Sequence, residues 1–226
     1  MNFIHRSVTI VGIATLLAGM PLTAFAEQQR FSILNRVNAE DLFKQGVDKI
    51  EEGHYQEAIE DFNQVLKINP KFVEAYCNRG LARVWLEDYQ GGIEDFRHAL
   101  RIDPNHADAY NKLGNTYVAL ENFQKAMENF DSAVRIDPNF VDAYYNRGLT
   151  RYTLGDKRGA IADYTQALRL DPTLAAAYGN RGLARQALGD KQAAMADLQK
   201  AAQLFRDRGD VAGYQETLNL IESVKR

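Results

Sequence analysis

The sequence predicts an all-α solenoid of five helix-turn-helix repeats closed by a C-terminal capping helix. Three observations lead there. Gly46, Gly80, Gly114, Gly148 and Gly182 lie 34 residues apart, and so do Pro70, Pro104, Pro138 and Pro172. Nearly the same nine letters recur as AYCNRGLAR (75–83), AYYNRGLTR (143–151) and AYGNRGLAR (177–185), with a worn relative, AYNKLGNTY, at 109–117. A fixed period of this length is the mark of small supersecondary units stacked in a line.

Composition fits that class. The 226 residues are 46% hydrophobic and 25% charged, as in soluble globular chains. A net charge of −3 offers no basic footprint for nucleic acid. One cysteine, Cys77, rules out an internal disulfide framework and cysteine-cluster metal sites.

The first element stands apart. Arg6 is followed by an apolar run from Val8 to about Ala18, and small residues end in Ala24-Phe25-Ala26 before Glu27, the first acid. This three-part pattern predicts a signal peptide over 1–26, cleaved after Ala26. An uncleaved anchor is the alternative, because Val8 to Ala26 is just long enough to span a bilayer. Residues 27–38 read as a short leader. Export to a periplasm or a thylakoid lumen is the expected localisation.

The repeats follow at 39–72, 73–106, 107–140, 141–174 and 175–208. In the fourth, VDAYYNRGLTRYTL carries Val141, Tyr144, Tyr145, Leu149, Tyr152 and Leu154 at helical spacing. Gly155-Asp156 punctuates the chain. KRGAIADYTQALRL forms the second helix, and Asp171-Pro172 ends it, since proline cannot continue a helix and restricts the residue before it. Glycine inside a helix costs about 1 kcal/mol relative to alanine, so five in register imply close packing. The small row Ala58, Gly92, Ala126, Ala160 and Ala194 is expected to face them. Phe62, Phe96, Phe130, Tyr164 and Leu198 are expected to fill the space beside. Residues 209–226 form an amphipathic cap with Tyr214, Leu218 and Ile221 on one stripe.

These features resemble the tetratricopeptide repeat (TPR) family in period, in the first-helix glycine, in the Ala-x3-aromatic step and in the closing proline. The resemblance covers 39–208, about three-quarters of the chain. It departs where the family has Trp, since Leu42, Tyr76, Tyr110, Tyr144 and Tyr178 stand there. It implies a right-handed superhelix whose first helices line a concave groove that binds a protein or peptide.

Repeats can be compared with one another. Arg79, Arg147 and Arg181 each have an aspartate sixteen residues later, Asp95, Asp163 and Asp197. Where Leu113 replaces the arginine, Asn129 replaces the acid; the first repeat breaks the rule with Gln45 and Asp61. Arg–Asp pairs between the two helices of one repeat are therefore expected, the arginine fork suiting a carboxylate. Asn78, Asn146 and Asn180, beside those arginines, show no covarying partner. In the resembled family this place faces the groove, and some members carry an asparagine ladder that grips the backbone of an extended peptide. The ladder here is Lys44, Asn78, Lys112, Asn146 and Asn180. Asparagine is a poor mid-helix residue, and it recurs nonetheless. Further groove-facing candidates by phase are Phe43, Val47, Leu81, Trp85, Asn111, Asn115, Tyr145, Leu149 and Tyr152. Inter-repeat packing is an equal reading for Trp85, Tyr145 and Tyr152. Asn111, Lys112 and Asn115 form the most polar patch, yet lack the full basic set of the carboxylate-clamping TPR type.

No catalytic constellation is visible. His54, His98 and His106 share no ligand spacing, the glycines form no phosphate loop, and Cys77 has no histidine at a motif spacing. The expected function is a non-catalytic scaffold or adaptor without cofactor, metal or nucleic acid. Membrane contact would come only through a partner or an uncleaved signal. The NRGLAR…LGD phrasing is similar to TPR proteins common in cyanobacteria, including photosystem assembly factors, which implies a role in assembling membrane complexes. The alternative is a cell-envelope adaptor that recruits wall enzymes or proteases.

Overall fold

The computed structural model describes residues 38–225, and every regular element among them is helical. The signal-peptide expectation and most of the leader lie outside the described residues. The elements are α1 (38–51), α2 (Tyr55–Ile68), α3 (Val73–Trp85), α4 (Tyr89–Ile102), α5 (Ala107–Ala119), α6 (Phe123–Ile136), α7 (Val141–Thr153), α8 (Lys157–Leu170), α9 (Ala175–Ala187), α10 (Lys191–Asp207) and α11 (Val211–Lys225). Among the described residues no helix is long and apolar enough to cross a membrane.

Each helix pair is bounded by local chemistry. Asp88, Asn122, Asp156 and Asp190 cap the second helices by accepting from the backbone N–H three residues on. The preceding turns close with the Asp88, Asn122, Asp156 and Asp190 amides donating to carbonyls five residues back. That Schellman geometry needs a left-handed residue after the helix. Gly53, Gly155 and Gly189 supply it in repeats 1, 4 and 5, but Glu87 (φ 63°) and Glu121 (φ 54°) supply it in repeats 2 and 3. A side chain there is strained by about 1 kcal/mol. Glu121→Gly should therefore raise the unfolding free energy by several tenths to about 1 kcal/mol in a urea titration; a loss would contradict this account. At the other turn, Asp103, Asp137 and Asp171 accept from the backbone two residues on, bracing the chain across the proline. Thr173 hydrogen bonds hold the Asp171 carboxyl below its ordinary range.

The core is a column of small and aromatic side chains. Phe62, Phe96, Phe130, Tyr164 and Leu198 are fully buried, as are Ala58, Ala126, Ala160 and Ala194. The repeated glycines meet the ring more directly than the small row. A Cβ added at Gly46, Gly80, Gly114 or Gly148 would lie 2.6–2.8 Å from the aromatic ring sixteen residues on. Close backbone approach is a second, local reason: a Cβ at Gly92 would sit 3.0 Å from the Gly80 carbonyl oxygen, and one at Gly182 would sit 3.2 Å from that of Ala194. Helix α11 closes the array through Ile221 and Val224, which pack with Leu198 and Ala202.

The Arg–Asp pairs form in the three repeats that carry both residues. Arg79 donates through Nε and Nη2 to Asp95 at 2.9 and 2.6 Å, Arg147 to Asp163 at 3.0 and 2.6 Å, and Arg181 to Asp197 at 2.9 and 2.7 Å. Burial works against the Arg147 charge, yet the hydrogen bonds and negative charges of Asp163 and Asp131 together outweigh it and hold the guanidinium above its ordinary value. A second arginine, Arg83, Arg151 or Arg185, donates to the same carboxylate at 2.7–2.9 Å. It is the last letter of each nine-letter phrase, and comparing only the first arginine missed it. In repeat 1 Lys49 occupies that second place, 2.6 Å from Asp61, which holds its ammonium above the ordinary value. The first arginines also reach back a repeat: Nη1 of Arg79, Arg147 and Arg181 donates to Asn63, Asp131 and Thr165. Each arginine thus ties its own second helix to the one before. Their guanidinium carbons lie 5.4 Å from the Tyr76, Tyr144 and Tyr178 ring centroids, so the tyrosines that replace Trp meet the same cations.

Candidate peptide-binding groove

Successive first helices touch, α3 with α5, α5 with α7 and α7 with α9, whereas no comparable contact joins successive second helices among the described residues. A stack that is closer on one side curves toward that side. The first helices therefore line the inner surface, and their exposed faces form the candidate groove.

Two adjacent places set the chemistry of this surface. The Asn146 side chain lies over Asn111 of the previous repeat, Nδ2 donating to Oδ1 at 3.0 Å. Asn180 lies over Tyr145 in the same way, Nδ2 donating to Oη at 2.9 Å. Both contacts span 35 residues. The asparagines thus do have partners, one repeat back and one residue out of register, where a comparison at equal repeat positions does not look. Where the previous residue offers no such acceptor the pattern changes. Asn78, whose counterpart is Phe43, turns to its own helix and donates to the Glu74 carbonyl at 2.9 Å. Lys112, whose counterpart is Cys77, pairs with Asp108 one turn earlier.

In all three asparagines the nitrogen is used and Oδ1 accepts no hydrogen bond among the described residues. Asn111 is 6% exposed, and its Nδ2 donates to no group among the described residues. The open amide oxygens on α3, α7 and α9 can accept the N–H of an extended chain, and the Asn111 nitrogen on α5 can donate to a carbonyl. Lys44 and Asn115 are exposed, while Lys112, Tyr145 and Tyr152 are half-buried.

The apolar candidates divide. Phe43 stacks on Phe72 at 4.9 Å and tilts against Phe62, and both it and Val47 pack on the first core cluster. Leu81 and Leu149 are half-buried. Trp85 is 59% exposed and stacks on Tyr55 of the preceding repeat at 5.8 Å, so one face packs and the other is open. Tyr145 tilts against Tyr164 with centroids 6.0 Å apart; burial pushes its phenol up, and the Asn180 hydrogen bond pulls the other way. Tyr152 has the Lys157 ammonium 3.5 Å from its ring centroid. Tyr164 is fully buried with no partner for its hydroxyl among the described residues, and burial pushes that phenol up. Cys77 is 2% exposed, and burial pushes its thiol up to about 12. No group of three or more His, Cys, Asp or Glu suited to a metal occurs among the described residues.

Sequence reasoning also passed over Glu74 and Asp142, one turn before Asn78 and Asn146. The available signal was their spacing, since residues four apart share a helix face.

Family models described as Tetratricopeptide repeat match residues 49–111, 96–128, 141–174 and 175–208, and one described as TPR repeat matches 114–155. Comparison with curated proteins gives no match. Among solved structures, MamA is 26% identical with a TM-score of 0.65, over 73% of this chain and 96% of that one. TTC0263 of Thermus thermophilus is 23% identical with a TM-score of 0.67, over 80% and 98%. YrrB is 20% identical with a TM-score of 0.61, over 88% and 98%.

Proposed function

Because the chain belongs to the tetratricopeptide repeat family, we propose that it is a non-catalytic scaffold that holds an extended segment of another protein in its concave groove. The carrying observation is the set of open amide oxygens on Asn78, Asn146 and Asn180, with the open Asn111 nitrogen between. Amides that neither carry charge nor read side chains suit a backbone grip. YrrB, which shares the fold, is described as having an unusual peptide-binding site. The signal-peptide pattern of residues 1–26 supports work after export, in a periplasm or thylakoid lumen. The clients there are components of membrane complexes under assembly. Recruitment of wall enzymes or proteases is the alternative, and the identity of the captured partner separates the two.

The test is a pull-down from the source organism with the chain from Glu27 onward and with an Asn78→Ala, Asn146→Ala, Asn180→Ala variant of equal helicity. A partner captured by the wild type and lost by the variant is the expected outcome. Equal capture by both moves the binding surface off these amides.

A further inference from the structure

Resting on the groove reading above, we infer that the occupant is cationic, an extended segment whose lysine or arginine side chains meet Glu74 and Asp142. Both carboxylates are exposed on first helices, and neither has a basic partner within 4.0 Å among the described residues. Each lies one helical turn before an asparagine with an open oxygen, on the same face. That shared face is shown directly by the middle repeat, where Asp108 and Lys112 stand at the two equivalent places and pair.

Over repeats 2 to 4 the basic residues of the first helices are accounted for. Lys112 is neutralised by Asp108. Lys44 makes no ion pair within 4.0 Å among the described residues, but it lies in repeat 1, outside the stretch between the two carboxylates. Arg79, Arg147 and Arg181 are turned away into the Asp95, Asp163 and Asp197 network. Over repeats 2 to 4 the inner face is left with two uncompensated negative charges, those of Glu74 and Asp142. A helix start favours an acid in any case. Repeat 5 shows that the start does not require one, because Ala176 holds the place there.

A second observation, independent of charge, calls for a chain at this spot. Asn111 sits between the two carboxylates along the stack, is 6% exposed, and keeps an Nδ2 unpartnered among the described residues. That nitrogen still meets solvent although most of its residue is buried, so an incoming carbonyl can reach it. A peptide carbonyl laid across repeats 3 and 4 supplies the acceptor, and the Asn146 oxygen beside it accepts the neighbouring N–H. Helices pack about 8–10 Å apart and an extended chain advances about 3.3 Å per residue, so one repeat spans about three residues. Glu74 and Asp142 are two repeats apart, which sets the two cations about six residues apart.

Panning a random dodecapeptide phage library against the immobilised full chain tests this. The expected result is a several-fold excess of Lys plus Arg over Asp plus Glu relative to the unselected library, with pairs about six residues apart. Glu74→Gln, Asp142→Asn should still select peptides but without that excess, and raising the salt should erase it. Selected peptides with no charge bias, or an acidic bias, overturn the inference and leave the groove intact. If the triple asparagine variant selects the same peptides in the same yield, the groove reading itself fails. If nothing is selected, both fall.

Discussion

Replacing Asp163 by Ala should lower the unfolding free energy by about 3 kcal/mol. Its carboxylate is 3% exposed and receives three hydrogen bonds from Arg147 and Arg151. Removing one partner of a buried ion pair typically costs about 3–5 kcal/mol, because the charge left behind has lost its compensation. The low end applies, since Arg147 and Arg151 remain 13% and 25% exposed and can recover some water. Asp131→Ala is the matched control: it removes a contact to the same Arg147, but that carboxylate is 54% exposed. A pair of that kind contributes under about 1 kcal/mol. Urea titrations of the two variants should differ by about 2 kcal/mol or more. A drop in the slope for Asp163→Ala would show that the array has begun to unfold in pieces, as weakly coupled repeats do. Equal stabilities would show that the network sets register without contributing net stability.

Two Gly→Ala substitutions should move stability in opposite directions. At Gly114 the new methyl would lie 2.6 Å from the Phe130 ring, which is fully buried and has nowhere to go. Overpacking of this sort costs about 1–3 kcal/mol, and the improved helix propensity returns only about 1. At Gly179, also within a first helix, nothing lies within 4 Å of the new methyl. There the propensity term acts alone, and Gly179→Ala should gain about 1 kcal/mol. Thermal and urea unfolding of the pair give the sign directly. Stabilisation by both would mean that the ring shifts freely and that the repeated glycines are not held by packing.

The contrast between these two glycines shows where the sequence was legible. Gly114 recurs every 34 residues and Gly179 does not, so periodicity alone separates the packing glycine from the incidental one. The Arg–Asp pairs were legible for the same reason: both members keep the same repeat position, and loss of one at Leu113 coincides with loss of the other at Asn129. The second arginine row carried the same signal and was overlooked. Asn146–Asn111 and Asn180–Tyr145 were hidden because each joins two different repeat positions across a repeat boundary. Their separation of 35 rather than 34 residues depends on how far one repeat is rotated on the next, which repeat-to-repeat comparison does not contain.

What the sequence determined by itself is most of what is local to one repeat: two helices, the punctuation between them, a close-packed glycine, and the first Arg–Asp pair. These follow from periodicity, propensity and stereochemistry within the 34-residue unit. That the glycine lies against the aromatic ring came from the structure. The tertiary structure decided which face turns inward, which asparagine oxygens stay open, that Lys112 is neutralised while Glu74 and Asp142 are not, and that Trp85 is half covered by Tyr55. The physical reason is that the curvature of a solenoid is a sum of small rotations between neighbours. Those rotations arise from side chains meeting across repeat boundaries.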